Sequence, residues 1–170
     1  MARFEIAGER KVRAKAKWRG LVGKQRLYSR AFEGREDVVL WDVFPVSDGE
    51  ILRLVFEGRK SDAEQGVWLM TDSGLTVGGK SGKDIDLWFG DVPGKEALIT
   101  CRTKDGLLSV YNTWDTGRGR RSQGYTSGML VEDLPNGRRY RCHDFGLEPE
   151  FDRLVFRLER VSAKVPNPLS

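Results

Sequence analysis

Hydrophobic and polar positions alternate with a period of two along much of this 170-residue chain. Short apolar or alternating runs are separated by four dipeptides typical of tight turns: Asp48-Gly49, Pro93-Gly94, Asp105-Gly106 and Asn136-Gly137. Alternation places successive side chains on opposite faces of a strand, and such turns join antiparallel neighbours. The pattern predicts an all-β fold, a single antiparallel β-sandwich of jelly-roll type, with an up-and-down β-barrel as the alternative.

The clearest predicted hairpin pairs residues 38–46 with residues 51–57 around Asp48-Gly49, and a last hairpin pairs residues 128–134 with 138–142. Residues 78–84 and 117–124 are rich in Gly and polar residues and predict loops. Residues 151–161 fit both a strand and one face of a helix, and the β surroundings favour the strand. We expect one β domain over residues 1–162 and a disordered tail over 163–170, which holds two prolines.

Length and composition fit one globular domain with a charged surface. No apolar run reaches the roughly 20 residues that a membrane helix needs, and the first residues lack the apolar core of a secretory signal. Cys101 and Cys142 both lie in strand-like segments, so we expect buried, reduced thiols, with a disulfide as the alternative. These features favour a cytoplasmic protein without membrane contact.

The positive charge is concentrated near the N-terminus. Residues 1–35 hold 11 Lys or Arg and 3 Asp or Glu, whereas the whole chain has a net charge of +4. Within this segment, alternation predicts a strand with one basic face, formed by Lys11, Arg13, Lys15, Lys17 and Arg19. Such a face is typical of a polyanion or nucleic-acid contact, of docking on the acidic remainder of the chain, or of a solvated edge strand.

Few residues in this chain are suited to catalysis. The single histidine is His143, and there is no Cys-x-x-Cys pair, EF-hand loop, phosphate-binding loop or Gly-x-Ser-x-Gly elbow. We therefore predict neither a metal site nor a cofactor. Carboxylate pairs, such as Asp115 with Glu148, leave open a hydrolase or isomerase that works in a barrel mouth.

The most suggestive segment is the loop end at residues 112–125, where aromatic, polar and arginine side chains follow one another. In the predicted site, Trp114 and Tyr125 stack on a ligand, while Asn112 and Asp115 orient its hydroxyl or amino groups. Negative charge would be met by Arg118, Arg120 and Arg121. The rhythm of hairpins is similar in outline to jelly-roll carbohydrate-binding modules. We therefore expect a non-enzymatic domain that binds a saccharide or an anionic polymer; the alternatives are the carboxylate enzyme and a nucleic-acid-binding protein.

Overall fold

The computed structural model describes residues 23–161, and nearly all of its regular structure is β. The eleven strands are β1 (Leu27–Tyr28), β2 (Val39–Pro45), β3 (Ile51–Arg59), β4 (Glu64–Val77), β5 (Lys80–Trp88), β6 (Glu96–Cys101), β7 (Leu107–Asp115), β8 (Arg120–Ser122), β9 (Gly128–Leu134), β10 (Gly137–His143) and β11 (Leu154–Arg160). A short 3₁₀ helix at Pro93–Lys95 precedes β6. The predicted basic strand at residues 11–19 and the predicted tail at 163–170 lie outside the described residues.

Eight strands close into an antiparallel barrel in the order β2, β9, β10, β11, β3, β6, β4, β7, with β7 pairing back onto β2. The all-β prediction is confirmed, and the barrel named as the alternative describes the fold better than the jelly-roll sandwich, which is not confirmed. The connections are not simply up-and-down, because β11 pairs with β3 and β9 pairs with β2. The remaining strands β1, β5 and β8 lie outside the ring, on β2, β4 and β7 respectively.

The predicted hairpins are wrong at three of the four turn dipeptides. Gly49, Gly94 and Gly106 all have the positive φ of tight turns, yet the strands that flank each of them do not pair with one another. Around Asp48-Gly49 the chain instead pairs with β6, since Gly49 N donates to Cys101 O and Cys101 N donates to Glu50 O. Only Asn136-Gly137 joins two paired strands, β9 and β10. A turn fixes a local reversal, whereas barrel closure decides which strands become neighbours.

Two predicted loops contain strands: residues 78–84 hold the start of β5, and residues 117–124 hold β8. Residues 64–77 form one long strand with an irregular register between Met70 and Leu75, and the chain returns at Gly78-Gly79 into β5. The arginine-rich loop contains β8, which pairs with the end of β7. Residues 154–160 form the strand β11, as the alternation favoured. No helix within residues 23–161 is long and apolar enough to cross a membrane.

The barrel interior is filled by large apolar side chains, including Leu52, Leu54, Ile99, Tyr140 and Phe156, all of which are fully buried. Cys101 and Cys142 lie in the same core as free thiols. Burial raises the pKa of Cys101 to about 12 and the pKa of Cys142 well above its usual value. A thiol that stays protonated at neutral pH is a poor nucleophile, so both cysteines act as small core residues.

Candidate functional site

The paired strands β4 and β7 carry most of the predicted site, and their register sorts its residues onto two faces. Glu64 pairs with Asp115, Gln65 with Trp114, and Gly66 with Thr113. Because alternate residues point to opposite faces, Trp114 and Gln65 share one face while Glu64 and Asp115 share the other. The Trp114 face is the barrel interior, since it also carries Asn112, whose side chain reaches the backbone of His143 in β10.

Two of the predicted ligand-binding residues point into the barrel. Trp114 is 4% exposed, with its ring against Gly124 and stacked at 6.4 Å between centroids on Phe145. Asn112 is buried, and its Nδ2 donates to the backbone oxygen of His143 at 3.2 Å. In this arrangement Trp114 closes one end of the barrel core, which does not fit the predicted role of an exposed stacking platform. Asn112 likewise ties β7 to the opposite wall rather than facing a ligand.

Asp115 lies on the outer face, where it organises the loop that follows β7. Its Oδ1 accepts hydrogen bonds from Gly117 N at 2.7 Å and from Gly119 N at 3.1 Å. Arg120 is half-buried rather than free: its Nε donates to Asp86 at 2.8 Å and its guanidinium donates to the Tyr111 hydroxyl at 3.3 Å. Of the predicted set, Asp115 is therefore accessible and Arg120 is held within the protein.

The other predicted residues are exposed but spread around the loop. Arg118 and Arg121 are exposed, and neither forms an ion pair with another described residue. Tyr125 is 81% exposed. The basic face formed by Lys11, Arg13, Lys15, Lys17 and Arg19 lies outside the described residues.

A shallow depression of about 370 Å³ opens on the outer face beside Asp115, and its aromatic residue is Trp88 at the end of β5. The depression is lined by Glu64, Trp88, Asp91, Asp115 and Gly117. Trp88 of β5 pairs with Gly66 of β4, and a Cβ on residue 66 would lie 2.8 Å from Trp88 Cε3. Glycine at this position thus lets the partly exposed indole lie close against the sheet. We refer to this feature as the Trp88 depression.

The carboxylates of the Trp88 depression differ in what they are free to bind. Glu64 is fully engaged, since Oε1 accepts from Arg59 at 3.1 Å and Oε2 accepts from Gly90 N at 3.0 Å. Asp115 uses only Oδ1 for the loop, and the Asp91 side chain has no hydrogen bond to the described residues. The depression therefore presents carboxylate oxygens of Asp91 and Asp115 as acceptors for hydroxyl or amino donors.

A buried carboxylate elsewhere in the barrel is also saturated. Asp42 is fully buried and accepts from Arg26 at 2.6 Å, from Arg138 at 3.0 Å and from the Tyr140 hydroxyl at 2.7 Å. The pKa of Tyr140 is held well above its usual value by burial and by Asp42, so the phenol keeps its proton. Three donors on two carboxylate oxygens mark a structural cluster that joins the residue before β1 to β2 and β10.

The single histidine is structural as well. His143 is fully buried, its Nδ1 accepts from Glu150 N at 3.1 Å, and its Nε2 lies 3.2 Å from Gly146 O. Because Nδ1 is the acceptor, Nε2 carries the proton and donates to the carbonyl. Both ring nitrogens are used in holding the loop after β10. Within residues 23–161, no group of three or more His, Cys, Asp or Glu side chains could hold a metal ion.

Charges on the outer face from β9 to β6 neutralise one another. Arg139 contacts Glu132 and Glu57, Arg157 contacts Glu57 and Glu159, and Arg53 contacts Glu159 and Glu96. These arginines hold the pKa values of Glu57 and Glu159 below their usual range, chiefly through Arg139 and Arg157 hydrogen bonds. Within this cluster four carboxylates, Glu57, Glu96, Glu132 and Glu159, neutralise three arginines.

The chain has no match among known protein families, curated proteins or solved structures. Glu64 and Asp91 were not predicted from the sequence, because no local pattern marks them. Glu64 meets Asp115 only through the pairing of β4 with β7, and Asp91 lies in the turn after β5.

Proposed function

We propose that this protein is a non-enzymatic binding domain whose Trp88 depression takes a neutral or amino-bearing saccharide. The observation that carries the proposal is the position of Trp88, a partly exposed indole beside two carboxylates with oxygen atoms free to accept hydrogen bonds. Sugar rings offer an apolar face to an aromatic side chain and hydroxyl donors to carboxylates. Asp115 and Asp91 would accept from those hydroxyl groups, while Trp88 replaces Trp114 as the stacking residue.

Charge decides between the two ligand classes expected from the sequence. The Trp88 depression holds Glu64, Asp91 and Asp115 and no basic side chain in its lining. An anionic polymer would be repelled there, so the saccharide is favoured over the polyanion at this place. Residues 23–161 contain 21 Lys or Arg and 23 Asp or Glu, so a polyanion would have to rely on exposed arginines such as Arg118 and Arg121 or on the residues before position 23.

The proposal is tested with a glycan array followed by titration of the best neutral oligosaccharide. The variant Trp88→Ala should weaken binding about 5- to 150-fold, since aromatic stacking contributes roughly 1–3 kcal/mol per ring. Tyr125→Ala is the matched control, because it removes an exposed aromatic residue that does not line the depression. Its affinity should equal that of the wild type.

Salt and turnover measurements separate the alternatives. Neutral saccharide binding should change little between 50 and 500 mM salt, whereas binding to a polyanion or nucleic acid falls steeply with salt. Binding that disappears at high salt would show that basic residues hold the ligand and would reject the Trp88 depression as the binding site. Hydrolysis or isomerisation of the bound oligosaccharide, lost in Asp115→Asn, would reject the non-enzymatic reading.

A further inference from the structure

Two loops meet over Trp114 at one end of the barrel. The β8–β9 loop spans residues 123–127, and the β10–β11 loop spans residues 144–153. A Cβ on Gly124 of the first loop would lie 3.5 Å from the Trp114 ring, and Phe145 of the second loop stacks on that ring. Because both loops contact the same indole, the side chains at their tips lie close together on the surface.

The tips of these two loops expose large apolar side chains. Tyr125, Phe145 and Leu147 are 81%, 42% and 90% exposed, and we refer to them as the end patch. Within residues 23–161 the other exposed large apolar residues lie apart, on β1, β3 and β6: Tyr28, Ile51 and Leu98. Single exposed apolar residues are ordinary on a protein surface, whereas a cluster of them marks an interaction site.

The β10–β11 loop is held firmly from the barrel side. Both ring nitrogens of His143 bind backbone groups of the loop. The next residue, Asp144, is fully buried and accepts from Ser61 Oγ at 2.6 Å and from Gln65 Nε2 at 2.9 Å. Leu147 is thus held in solvent by an ordered loop, and an ordered surface loses less conformational entropy when it binds a partner.

The free charges beside the end patch have opposite signs on its two sides. Within residues 116–127 and 144–153, the charged side chains that form no ion pair with another described residue are Arg118, Arg121 and Glu148. Arg121 pairs with Trp114 in the register of β8 and β7, next to the β8–β9 loop. Glu148 follows Leu147 in the β10–β11 loop. The surface therefore has a positive side and a negative side.

We propose that the end patch is the contact surface between two copies of this chain. A two-fold axis in the plane of the patch lays the β8–β9 loop of each copy over the β10–β11 loop of the other. Arg121 of one copy then faces Glu148 of the other, twice, while the apolar side chains cover one another. None of these residues lines the Trp88 depression, so this proposal is independent of the saccharide proposal.

Sedimentation equilibrium of the full chain, from about 1 to about 200 μM, measures the dissociation constant of the dimer. Leu147→Asp should raise this constant at least about tenfold, because it buries an unpaired charge in both halves of the contact. Leu98→Asp is the matched control, since it changes an exposed leucine on β6 in the same way and should leave the constant unchanged. The urea midpoint of dilute Leu147→Asp should equal that of the dilute wild type, which separates lost association from lost folding.

A charge exchange tests the two-fold arrangement itself. Arg121→Glu and Glu148→Arg should each raise the dissociation constant on the order of tenfold, because two attractive pairs become repulsive. An equal mixture of these two variants should regain the affinity of the wild type, since opposite charges face each other again in both contacts. Arg141→Glu is the control for net charge: this arginine of β10 is exposed, forms no ion pair with a described residue and lies outside the two loops.

Each of four results would overturn the proposal. The first is a wild-type chain that stays monomeric up to about 200 μM, since a contact that weak is not a specific dimer. The second is equal weakening in Leu98→Asp or Arg141→Glu, which would place the contact elsewhere. The third is a mixture of Arg121→Glu and Glu148→Arg that stays monomeric. The fourth is association that continues beyond the dimer, because a two-fold contact closes on itself.

Discussion

Trp88 and Trp114 lie near the same end of the sheet, yet the barrel uses them in opposite ways. Trp114 is the last residue but one of β7 and points inward, where it is 4% exposed and stacks on Phe145. Trp88 ends β5 and lies on the outer face, over Gly66 and beside Asp115. Both follow a strand of alternating residues, and the local sequence around either one fits a platform or a core residue.

The two tryptophans differ in the face of the sheet to which their side chains point. Asp115 is adjacent to Trp114 in sequence but points to the opposite face, whereas Trp88 lies two strands away and points to the same face as Asp115. A ligand site on a sheet is therefore assembled from alternate residues of neighbouring strands rather than from consecutive residues of one.

The largest effect should come from the inward tryptophan. Trp114→Ala removes a large buried ring from the end of the core and should lower the free energy of unfolding by about 3–5 kcal/mol. Trp88→Ala, as the matched comparison, should cost much less because its ring is partly exposed. Urea unfolding of both variants measures the difference. Equal losses would show that both rings act as core residues and would remove the basis for a site at Trp88.

Gly66 offers a way to disturb Trp88 without changing it. A Cβ at position 66 would lie 2.7 Å from Thr113 Oγ1 and 2.8 Å from Trp88 Cε3, so Gly66→Ala must shift one of these groups. We expect a loss of about 1–3 kcal/mol in unfolding free energy, as for overpacking elsewhere, together with weaker saccharide binding. Gly58→Ala is the control, since a Cβ there meets no atom within 4 Å. If Gly66→Ala has the same unfolding free energy and the same saccharide affinity as the wild type, the position of the indole does not depend on this contact.

The sequence predicts individual strands better than it predicts their neighbours. The apolar and alternating runs located β2, β3 and β7 to within about two residues and β11 to within about three, because the apolar residues that each strand buries lie close together in sequence. The pairing of β2 with β7 and β9 depends on contacts between residues far apart in the chain, and no turn signal encodes these contacts. The hairpin around Asp48-Gly49 failed for this reason.

The candidate site shows the same limit. Trp114 was singled out because it follows a predicted strand and precedes a polar loop, and Asp115 was assigned with it because the two are neighbours in sequence. The structure places Asp115, and not Trp114, on an accessible face. Which of the two faces becomes the interior is set by the whole barrel, so the choice between Trp114 and Trp88 as the stacking residue needed the register of three strands.

A smaller effect is expected from Asp115→Asn. The variant keeps an oxygen that can accept from Gly117 N and Gly119 N, so the loop and the unfolding free energy should change by less than about 1 kcal/mol. It removes the charge and the second carboxylate oxygen, so saccharide affinity should fall about tenfold, as for the loss of one charged hydrogen bond. Isothermal titration measures this affinity. An unchanged affinity would place the ligand away from Asp115.

The smallest effect concerns a carboxylate that holds a loop but does not line the Trp88 depression. Asp72 accepts from Lys104 N at 2.9 Å and from Asp105 N at 3.0 Å, much as Asp115 holds its own loop. The Lys104 hydrogen bond above all lowers the pKa of Asp72 to about 2. A lowered pKa stabilises the folded state above the usual value of about 4, and this stabilisation is lost as the pH falls towards 2. Asp72→Asn should therefore flatten the decline in the urea midpoint between pH 4 and pH 2 and leave saccharide affinity unchanged. If the urea midpoints of Asp72→Asn and of the wild type fall in parallel with pH, Asp72 does not contribute to acid sensitivity. If Asp72→Asn binds the saccharide more weakly than the wild type, the loss expected for Asp115→Asn is not specific to Asp115.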